Sequence, residues 1–162
     1  AIAQGYTCDV IASLLDSLQV DNYLVEVGME IICKGNNASG KPWRIGIDTP
    51  RDGSQIAGES IEKIVPIENA SIVTSGNYRK FYIIDGKKYA HSINPHTGYP
   101  VNHDLLSATV ISYGEDFAGS YADAYATYCM VAGKEKAAEF ISKRSDLKGY
   151  LITNSESINL LE

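Results

Sequence analysis

The order of hydrophobic patterns along the chain predicts an α+β fold with an antiparallel sheet and helices on one side. A helical pattern opens the chain, many short strand-like runs follow, and two more helical patterns precede a closing hairpin. Helices and strands that are grouped rather than alternating are typical of α+β proteins. The 162 residues, of which 44% are hydrophobic, are enough for a single two-layer domain with its own core.

Each element follows from residue spacing and turn residues. Hydrophobic residues with helical spacing predict a first helix over residues 2–19. Asp85-Gly86 is a typical two-residue hairpin turn. An alanine-rich pattern predicts a helix over 117–132, Gly133 ends it, and another helix covers 134–143. Strands are predicted over residues 23–27, 31–33, 43–47, 61–67, 70–74, 79–84, 87–93 and 105–112, with a closing hairpin over 150–161.

Charge and cysteine content exclude several classes of protein. The chain has 14 basic and 20 acidic residues, a net charge of −6 and no basic run, which argues against nucleic acid as a partner. No hydrophobic run approaches the roughly 18 residues that a membrane span needs. Cys8, Cys33 and Cys129 are widely spaced without a C-x-x-C motif, which predicts buried free thiols rather than a disulfide framework.

Two short segments contain the residues best suited to chemistry. His91 follows a strand-like run, and an imidazole there can accept a proton near neutral pH. Asp123 and Thr127 are four residues apart and share one helix face, where their oxygens suit Mg²⁺. Together they favour magnesium-assisted phosphoryl or nucleotidyl transfer. The alternatives are a structural His91, an Asp123 that caps or solvates the helix, and a Thr127 hydroxyl bonded to a helix carbonyl.

Other polar residues give weaker signals. The three histidines fall within residues 91–103, but a zinc site there lacks thiol partners and the usual helical pair. We expect His96 and His103 to be solvated. Ser75 and Gly76 follow a strand and are candidates to direct backbone N–H groups toward an anion such as a phosphate, with an ordinary turn as the alternative.

Six segments, taken in order, resemble the motifs of one family. The histidine segment resembles H-x-I-[DN]-P-x-T-G-x-P, and the later helix resembles A-D-A-x-x-T. The matching segments are residues 1–9, 25–30, 43–47, 74–78, 91–100 and 122–127. This order resembles the ApbE family of FAD:protein FMN transferases, formerly described as thiamine-biosynthesis lipoproteins, over essentially the whole chain. The resemblance implies a fold similar to the tunnelling fold.

The resemblance also implies a reaction and the residues that perform it. Family members bind FAD as a substrate together with Mg²⁺, cleave its pyrophosphate, move FMN onto a Ser or Thr of a redox protein, and release AMP. His91 matches the histidine that removes the proton from the attacking hydroxyl. The positions that match metal ligands are Ala1, Asp123 and Thr127, and those that match FAD contacts are Gln4 and Ile93.

The chain departs from the family pattern at three positions and in length. Gln4 replaces the usual Lys or Glu, Met29 replaces the second glycine of a pair, and Asn94 replaces a frequent Asp. Family members have a further N-terminal half that supplies part of the FAD pocket. We therefore expect residues 1–162, which begin at Ala1 without a signal peptide, to be the C-terminal portion of such a transferase.

The cellular location is a further expectation that follows from the resemblance. The family implies a place in the periplasm or on the outer face of the cytoplasmic membrane, anchored through an N-terminal lipid that these residues do not contain. Two alternatives to the transferase would use all or some of the site residues. One is a magnesium-dependent FAD pyrophosphatase, in which water replaces the acceptor hydroxyl. The other is a non-catalytic FAD-binding module, which the neutral Gln4 would suit.

Overall fold

Three helices and ten strands are present in the residues that the computed structural model describes, namely 2–51, 58–78, 81–114 and 116–161, with only the backbone at Lys87 and Lys88. The helices are α1 (Ala3–Ser17), α2 (Ala118–Ala132) and α3 (Lys134–Ser142). The strands are β1 (Tyr23–Val27), β2 (Glu30–Lys34), β3 (Trp43–Asp48), β4 (Ile61–Ile67), β5 (Ala70–Gly76), β6 (Phe81–Ile84), β7 (Lys87–Ala90), β8 (Leu105–Ser112), β9 (Leu147–Thr153) and β10 (Ser157–Leu160).

These bounds confirm the predicted elements to within three residues at each described end. Residues 79 and 80, which were predicted to begin a strand, lie outside the described part of the chain. The predicted hairpin turn at Asp85-Gly86 joins β6 and β7, with a positive φ at both residues. Gly133 separates α2 from α3 with a φ of +84°, and its N–H donates to the Cys129 carbonyl. Within the described ranges, no helix is long and apolar enough to cross a membrane.

The main sheet has six antiparallel strands in the order β1-β2-β5-β8-β9-β10. Strand β5 lies beside β8 near the centre, and Thr74 is paired with Thr109 in that register. The hairpins β3–β4 and β6–β7 form two separate two-stranded sheets. The predicted antiparallel α+β architecture is therefore confirmed.

The helices all pack on one face of the main sheet, as predicted. Val73 and Val110 lie in the core with α2 and α3, and Val25 lies in a second cluster with α1. The expectation of two layers was wrong, however, because the β3–β4 hairpin covers part of the opposite face. Ile72 there packs with Ile47, since successive residues of a strand point to opposite faces. The central strands are consequently buried on both sides.

Candidate active site

Asp123 lies in the second turn of α2, where it contacts the beginning of α1. Its carboxylate Oδ2 accepts a hydrogen bond of 3.1 Å from the Gly5 N–H, and its side chain is almost fully buried. The Gly5 N–H lies in the first turn of α1, where N–H groups take acceptors from outside the helix. Asp123 thus caps α1, whereas the alternative drawn from the sequence placed this cap on its own helix.

The two helices approach each other through a pair of glycines. A Cβ atom on Gly5 would lie 2.2 Å from the carbonyl oxygen of Gly119, and one on Gly119 would lie 2.5 Å from that of Gly5. Backbone therefore packs directly on backbone at this point. We call the contact formed by Gly5, Asp9, Gly119, Ser120 and Asp123 the helix corner.

Asp9 makes the converse contact across the helix corner. Its carboxylate accepts hydrogen bonds from the Gly119 N–H at 2.7 Å, the Ser120 N–H at 2.8 Å and the Ser120 hydroxyl at 2.6 Å. Our reading of the sequence assigned no role to Asp9, although it is the last residue of the first family-like motif. Its spacing of four from Gly5, on one helix face, was the available signal.

Thr127 lies one turn after Asp123 and faces strand β5. Its hydroxyl is 3.5 Å from the hydroxyl of Ser75, a residue that the sequence separates from it by 52 positions. Ser75 faces α2, whereas the hydroxyl of the preceding Thr74 contacts Thr109 on the sheet at 2.7 Å. The structure thus brings one predicted anion-binding residue next to one predicted metal ligand.

Gly76 ends β5 beside Ser75, at a position where a larger residue would not fit. A Cβ atom there would lie 2.5 Å from the ring of Tyr78. The glycine therefore allows the chain to turn tightly as it leaves the strand. This geometry explains the residue by packing, and the predicted anion contact at Gly76 stays a prediction.

The donor set at this end of α2 suits a hard cation. A buried carboxylate at Asp123 and hydroxyls at Thr127 and Ser75 offer oxygen atoms only, which is the ligand type that Mg²⁺ takes. In the described part of the chain, no three or more His, Cys, Asp or Glu residues form a group that could hold a metal ion. A magnesium ion at this end of α2 would be held by one carboxylate together with hydroxyl oxygens. The predicted ligand Ala1 lies outside the described residues.

His91 directly follows β7, as predicted, and is exposed. The next residue, Ser92, donates a hydrogen bond of 3.5 Å to the Asn77 side-chain oxygen. Asn77 is buried two residues after Ser75, and its N–H donates to the Leu106 carbonyl. This connection places His91 near the end of β5 that also carries Ser75.

The segment 91–100, which we call the histidine loop, is shaped by its own hydrogen bonds. The Asn94 side-chain oxygen accepts from the His96 N–H at 2.9 Å, and the Asn94 carbonyl accepts from the Gly98 N–H at 2.8 Å. An amide oxygen can accept the first of these bonds as an Asp carboxylate would, so Asn94 preserves this turn. Ile93 pairs with Pro100 and remains half exposed, which leaves it accessible to a ligand.

Gln4 lies next to the helix corner on the exposed side of α1. The Gln4 side-chain nitrogen lies close to Gly28: a Cβ atom added to Gly28 would be only 1.8 Å from this nitrogen. Gly28 and Met29 form the two-residue turn between β1 and β2, with φ of +64° and +79°. Met29 therefore occupies a backbone conformation that favours the glycine usual in the family motif.

His103 is not solvated as expected. Its ring is half buried, and Nε2 lies 2.8 Å from the Met130 carbonyl near the end of α2. A carbonyl can only accept, so the Nε2–H donates and caps one of the last carbonyls of the helix. His96 is exposed, as predicted. His103 therefore has a structural contact that holds the C-terminal end of α2.

The three cysteines are buried free thiols, as predicted. Cys8 is adjacent to Asp9 in α1 and donates a hydrogen bond to the Glu30 carbonyl at 3.2 Å. Burial is the main cause that raises the pKa of Cys8 to about 11; the nearby carboxylates of Glu30, Asp9 and Asp123 act in the same direction, and a backbone hydrogen bond from Val27 acts against them. The thiol beside the helix corner therefore stays protonated and neutral at ordinary pH.

Comparison with known proteins assigns this chain to a family. The model described as the ApbE family matches residues 1–151. The chain belongs to the ApbE family, which confirms the resemblance carried by the six motifs.

Its relatives include proteins named FAD:protein FMN transferase. The FAD:protein FMN transferase of Haemophilus influenzae is 37% identical over 157 residues, which are 97% of this chain and 43% of that protein. The FAD:protein FMN transferase of Escherichia coli K12 is 39% identical over 152 residues, which are 94% of this chain and 41% of the relative. The chain thus spans less than half the length of these relatives.

Solved structures agree with the fold. The flavin transferase ApbE from Vibrio cholerae superposes with a TM-score of 0.79 at 34% identity, over 98% of this chain and 48% of that one. The ApbE protein of Thermotoga maritima gives a TM-score of 0.80 at 26% identity, over 98% of this chain and 49% of that chain.

Proposed function

We propose that this chain serves the magnesium-dependent transfer of FMN from FAD to a Ser or Thr hydroxyl of a redox protein, with release of AMP. The observation that carries the proposal is the placement of Asp123 and Thr127 on one face of α2, with the Ser75 hydroxyl 3.5 Å from that of Thr127. The names of the relatives support flavin transfer as the reaction.

Asp123 and Thr127 would hold the Mg²⁺ ion, with an oxygen of Ala1 as a further ligand by resemblance. When bound, Mg²⁺ neutralises charge that develops on the pyrophosphate. Asp123 is suited to this role because its carboxylate is held by the Gly5 N–H at the positive end of α1. A carboxylate fixed in this way keeps its orientation without a substrate.

His91 accepts the proton of the attacking hydroxyl. The hydroxyl oxygen forms a bond to the phosphorus of the FMN portion, and the bond from this phosphorus to the bridging oxygen breaks. The proton passes to an imidazole nitrogen of His91, and AMP leaves with the bridging oxygen. The exposure of the histidine loop supports this role, because an acceptor protein must reach the proton acceptor.

Four further residues would contact FAD. Ser75 and Gly76 lie beside Thr127, which suits contact with the phosphates, while Gln4 and Ile93 are exposed near the two sides of the site. The neutral Gln4 would provide hydrogen bonds in place of the charge of Lys or Glu.

The remaining part of the pocket belongs to the portion of the relatives that has no counterpart in these residues. By resemblance, we propose that this chain is the C-terminal portion of the enzyme. We also propose that the enzyme acts in the periplasm or on the outer face of the cytoplasmic membrane, held by a lipid.

A chimera tests the reaction. The 162 residues would replace the matching segment of the Haemophilus influenzae transferase, and the product would be incubated with FAD, Mg²⁺ and an acceptor peptide. We expect a peptide adduct of the mass of FMN together with AMP, and neither product after chelation of Mg²⁺. Thr127→Val should abolish the adduct at low Mg²⁺, while the exposed helical control Thr7→Val should not.

Other outcomes identify the alternatives. Free FMN and AMP without a peptide adduct would indicate a pyrophosphatase and contradict the proposed transfer. Quenching of FAD fluorescence without either product would indicate a binding module.

A further inference from the structure

The N-termini of α1 and α2 are each capped by a carboxylate from the other helix. Asp123 of α2 accepts the Gly5 N–H in the first turn of α1, and Asp9 of α1 accepts two N–H groups in the first turn of α2. Both carboxylates are buried, at 1% and 8% exposure. We call this arrangement the crossed caps.

Helix α2 takes its cap from Asp9, because its own N-cap residue provides no side-chain hydrogen bond. The residue before the helix is Phe117, with a φ of +57°, and its side chain cannot accept a hydrogen bond. An α-helix begins with N–H groups that need acceptors from outside. Asp9 satisfies two of them and also accepts the Ser120 hydroxyl, so a single buried carboxylate orders the first turn of α2.

The crossed caps link this first turn to the proposed metal ligand. Asp9 lies one turn after Gly5 on the same face of α1, and Asp123 lies one turn after Gly119 on α2. If Asp9 holds Gly119 and Ser120 against α1, Asp123 is placed opposite the Gly5 N–H. Because the backbones of the two glycines are in direct contact, the distance between the helices is fixed at this point.

We propose that Asp9 is a positioning residue for the magnesium site: by capping α2 from α1, it holds Asp123 in the orientation that binds the ion. The metal role of Asp123 itself rests on the proposed function. Asp9 acts through α2, because its carboxylate is already engaged by three donors at the helix N-terminus.

The test compares Asp9→Asn with Asp16→Asn in the chimera with the Haemophilus influenzae transferase, which supplies the remaining part of the pocket. Asp16 is an exposed carboxylate of the same helix, paired with Lys34 at 2.8 Å, and is a matched control. Mn²⁺ serves as the probe, and free Mn²⁺ is measured by electron paramagnetic resonance. Amide hydrogen exchange at Gly5 and Ser120 is measured in parallel, with the amides of β8 as an internal reference.

We expect Asp9→Asn to weaken Mn²⁺ binding about tenfold or more, as loss of a residue behind a metal ligand typically does. Exchange at Gly5 and Ser120 should accelerate by a similar factor while β8 is unchanged. Asp16→Asn should match the unmodified chimera in both measurements.

Three results would overturn the inference. They are unaltered Mn²⁺ affinity in Asp9→Asn, unaltered exchange at Gly5, and equal acceleration of exchange everywhere, which would indicate a general loss of stability. If the unmodified chimera binds no Mn²⁺, the magnesium part of the proposed function fails instead. Exchange at Gly5 then still decides whether Asp9 positions Asp123.

Discussion

The helix corner and the histidine loop supply the two halves of the proposed chemistry, but they are built in opposite ways. In the helix corner, residues more than 100 positions apart are joined by buried carboxylates and by contact between two backbones. In the histidine loop, His91 is exposed, and the loop is shaped by bonds between residues a few positions apart. Only the helix corner forms part of the framework of the fold.

This difference predicts which substitutions reduce stability and which reduce activity alone. A group buried with full hydrogen bonding is costly to remove, because its partners are left without acceptors. An exposed side chain contributes little to stability and can be removed with the fold intact. Substitutions at five residues, taken from the largest expected effect to the smallest, test this contrast.

Replacement of His91 should affect chemistry alone. We expect His91→Ala to slow FMN transfer in the chimera about 10²- to 10⁴-fold, the usual contribution of a general base. The free energy of unfolding should stay within about 0.5 kcal/mol of the parent. The exposed His96→Ala in the same loop is the control and should change neither quantity. Equal transfer rates for the two variants would remove His91 from the mechanism.

Replacement of Gly5 should mainly reduce the stability of the fold. In Gly5→Ala the new Cβ would meet the Gly119 carbonyl at 2.2 Å, which forces the helices apart and should cost about 3 kcal/mol of unfolding free energy in urea. Gly114→Ala is the matched control, because a Cβ there meets its nearest atoms at an ordinary 3.8 Å. Similar stability of the two variants would contradict the close contact at the helix corner.

Alkaline pH should loosen the helix corner. Burial raises the folded-state pKa of Cys8 from 9.0 to about 11, so the folded chain keeps a proton that the unfolded chain loses first. This contribution is complete below pH 9 and is lost as the pH rises toward 11, by roughly 2.7 kcal/mol. Unfolding in urea at several pH values measures it. Cys8→Ala should show a smaller alkaline decline, and an identical decline would disprove the assignment.

Removal of the His103 ring should weaken the far end of α2. We expect His103→Leu to cost about 1 kcal/mol, because the Nε2–H bond to the Met130 carbonyl is lost. Thermal unfolding measures the effect, with the exposed His96→Leu as the control. If both variants unfold alike, the contact of His103 with α2 does not contribute to stability.

The smallest effect is expected at Met29, where we predict a gain. Met29→Gly removes a side chain from a backbone with φ of +79° and should add about 0.5 kcal/mol to the unfolding free energy. Met29→Ala keeps the strained conformation, so it controls for lost side-chain contacts and should give no gain. A stability of Met29→Gly below that of Met29→Ala would show that strain at this turn is unimportant.

Much of the fold could be predicted because periodicity is local. The spacing of hydrophobic residues located α1, α2 and the central strands to within three residues. The third layer escaped prediction because a strand such as β5, hydrophobic on both faces, does not reveal what covers each face. Only packing with Ile47 and Ile67 shows that the β3–β4 hairpin covers Ile72.

The same distinction between local and long-range contacts applies to the candidate site. Asp123 and Thr127 could be paired from their spacing of four, since helix geometry places such residues on one face. Their contacts with Gly5 and Ser75 could not, because these residues are 118 and 52 positions away. The expectation that His103 is solvated failed for the same reason, as its partner Met130 lies 27 positions later.

The sequence by itself determined the antiparallel α+β class, the family, and the placement of Asp123 and Thr127 on one face of α2, because these depend on local periodicity and on ordered motifs. The tertiary structure alone decided that Asp9 and Asp123 cap each other's helices and that Ser75 joins Thr127. Such contacts arise when distant segments are packed together, where close approach of two glycines and the need to satisfy buried N–H groups select the partners.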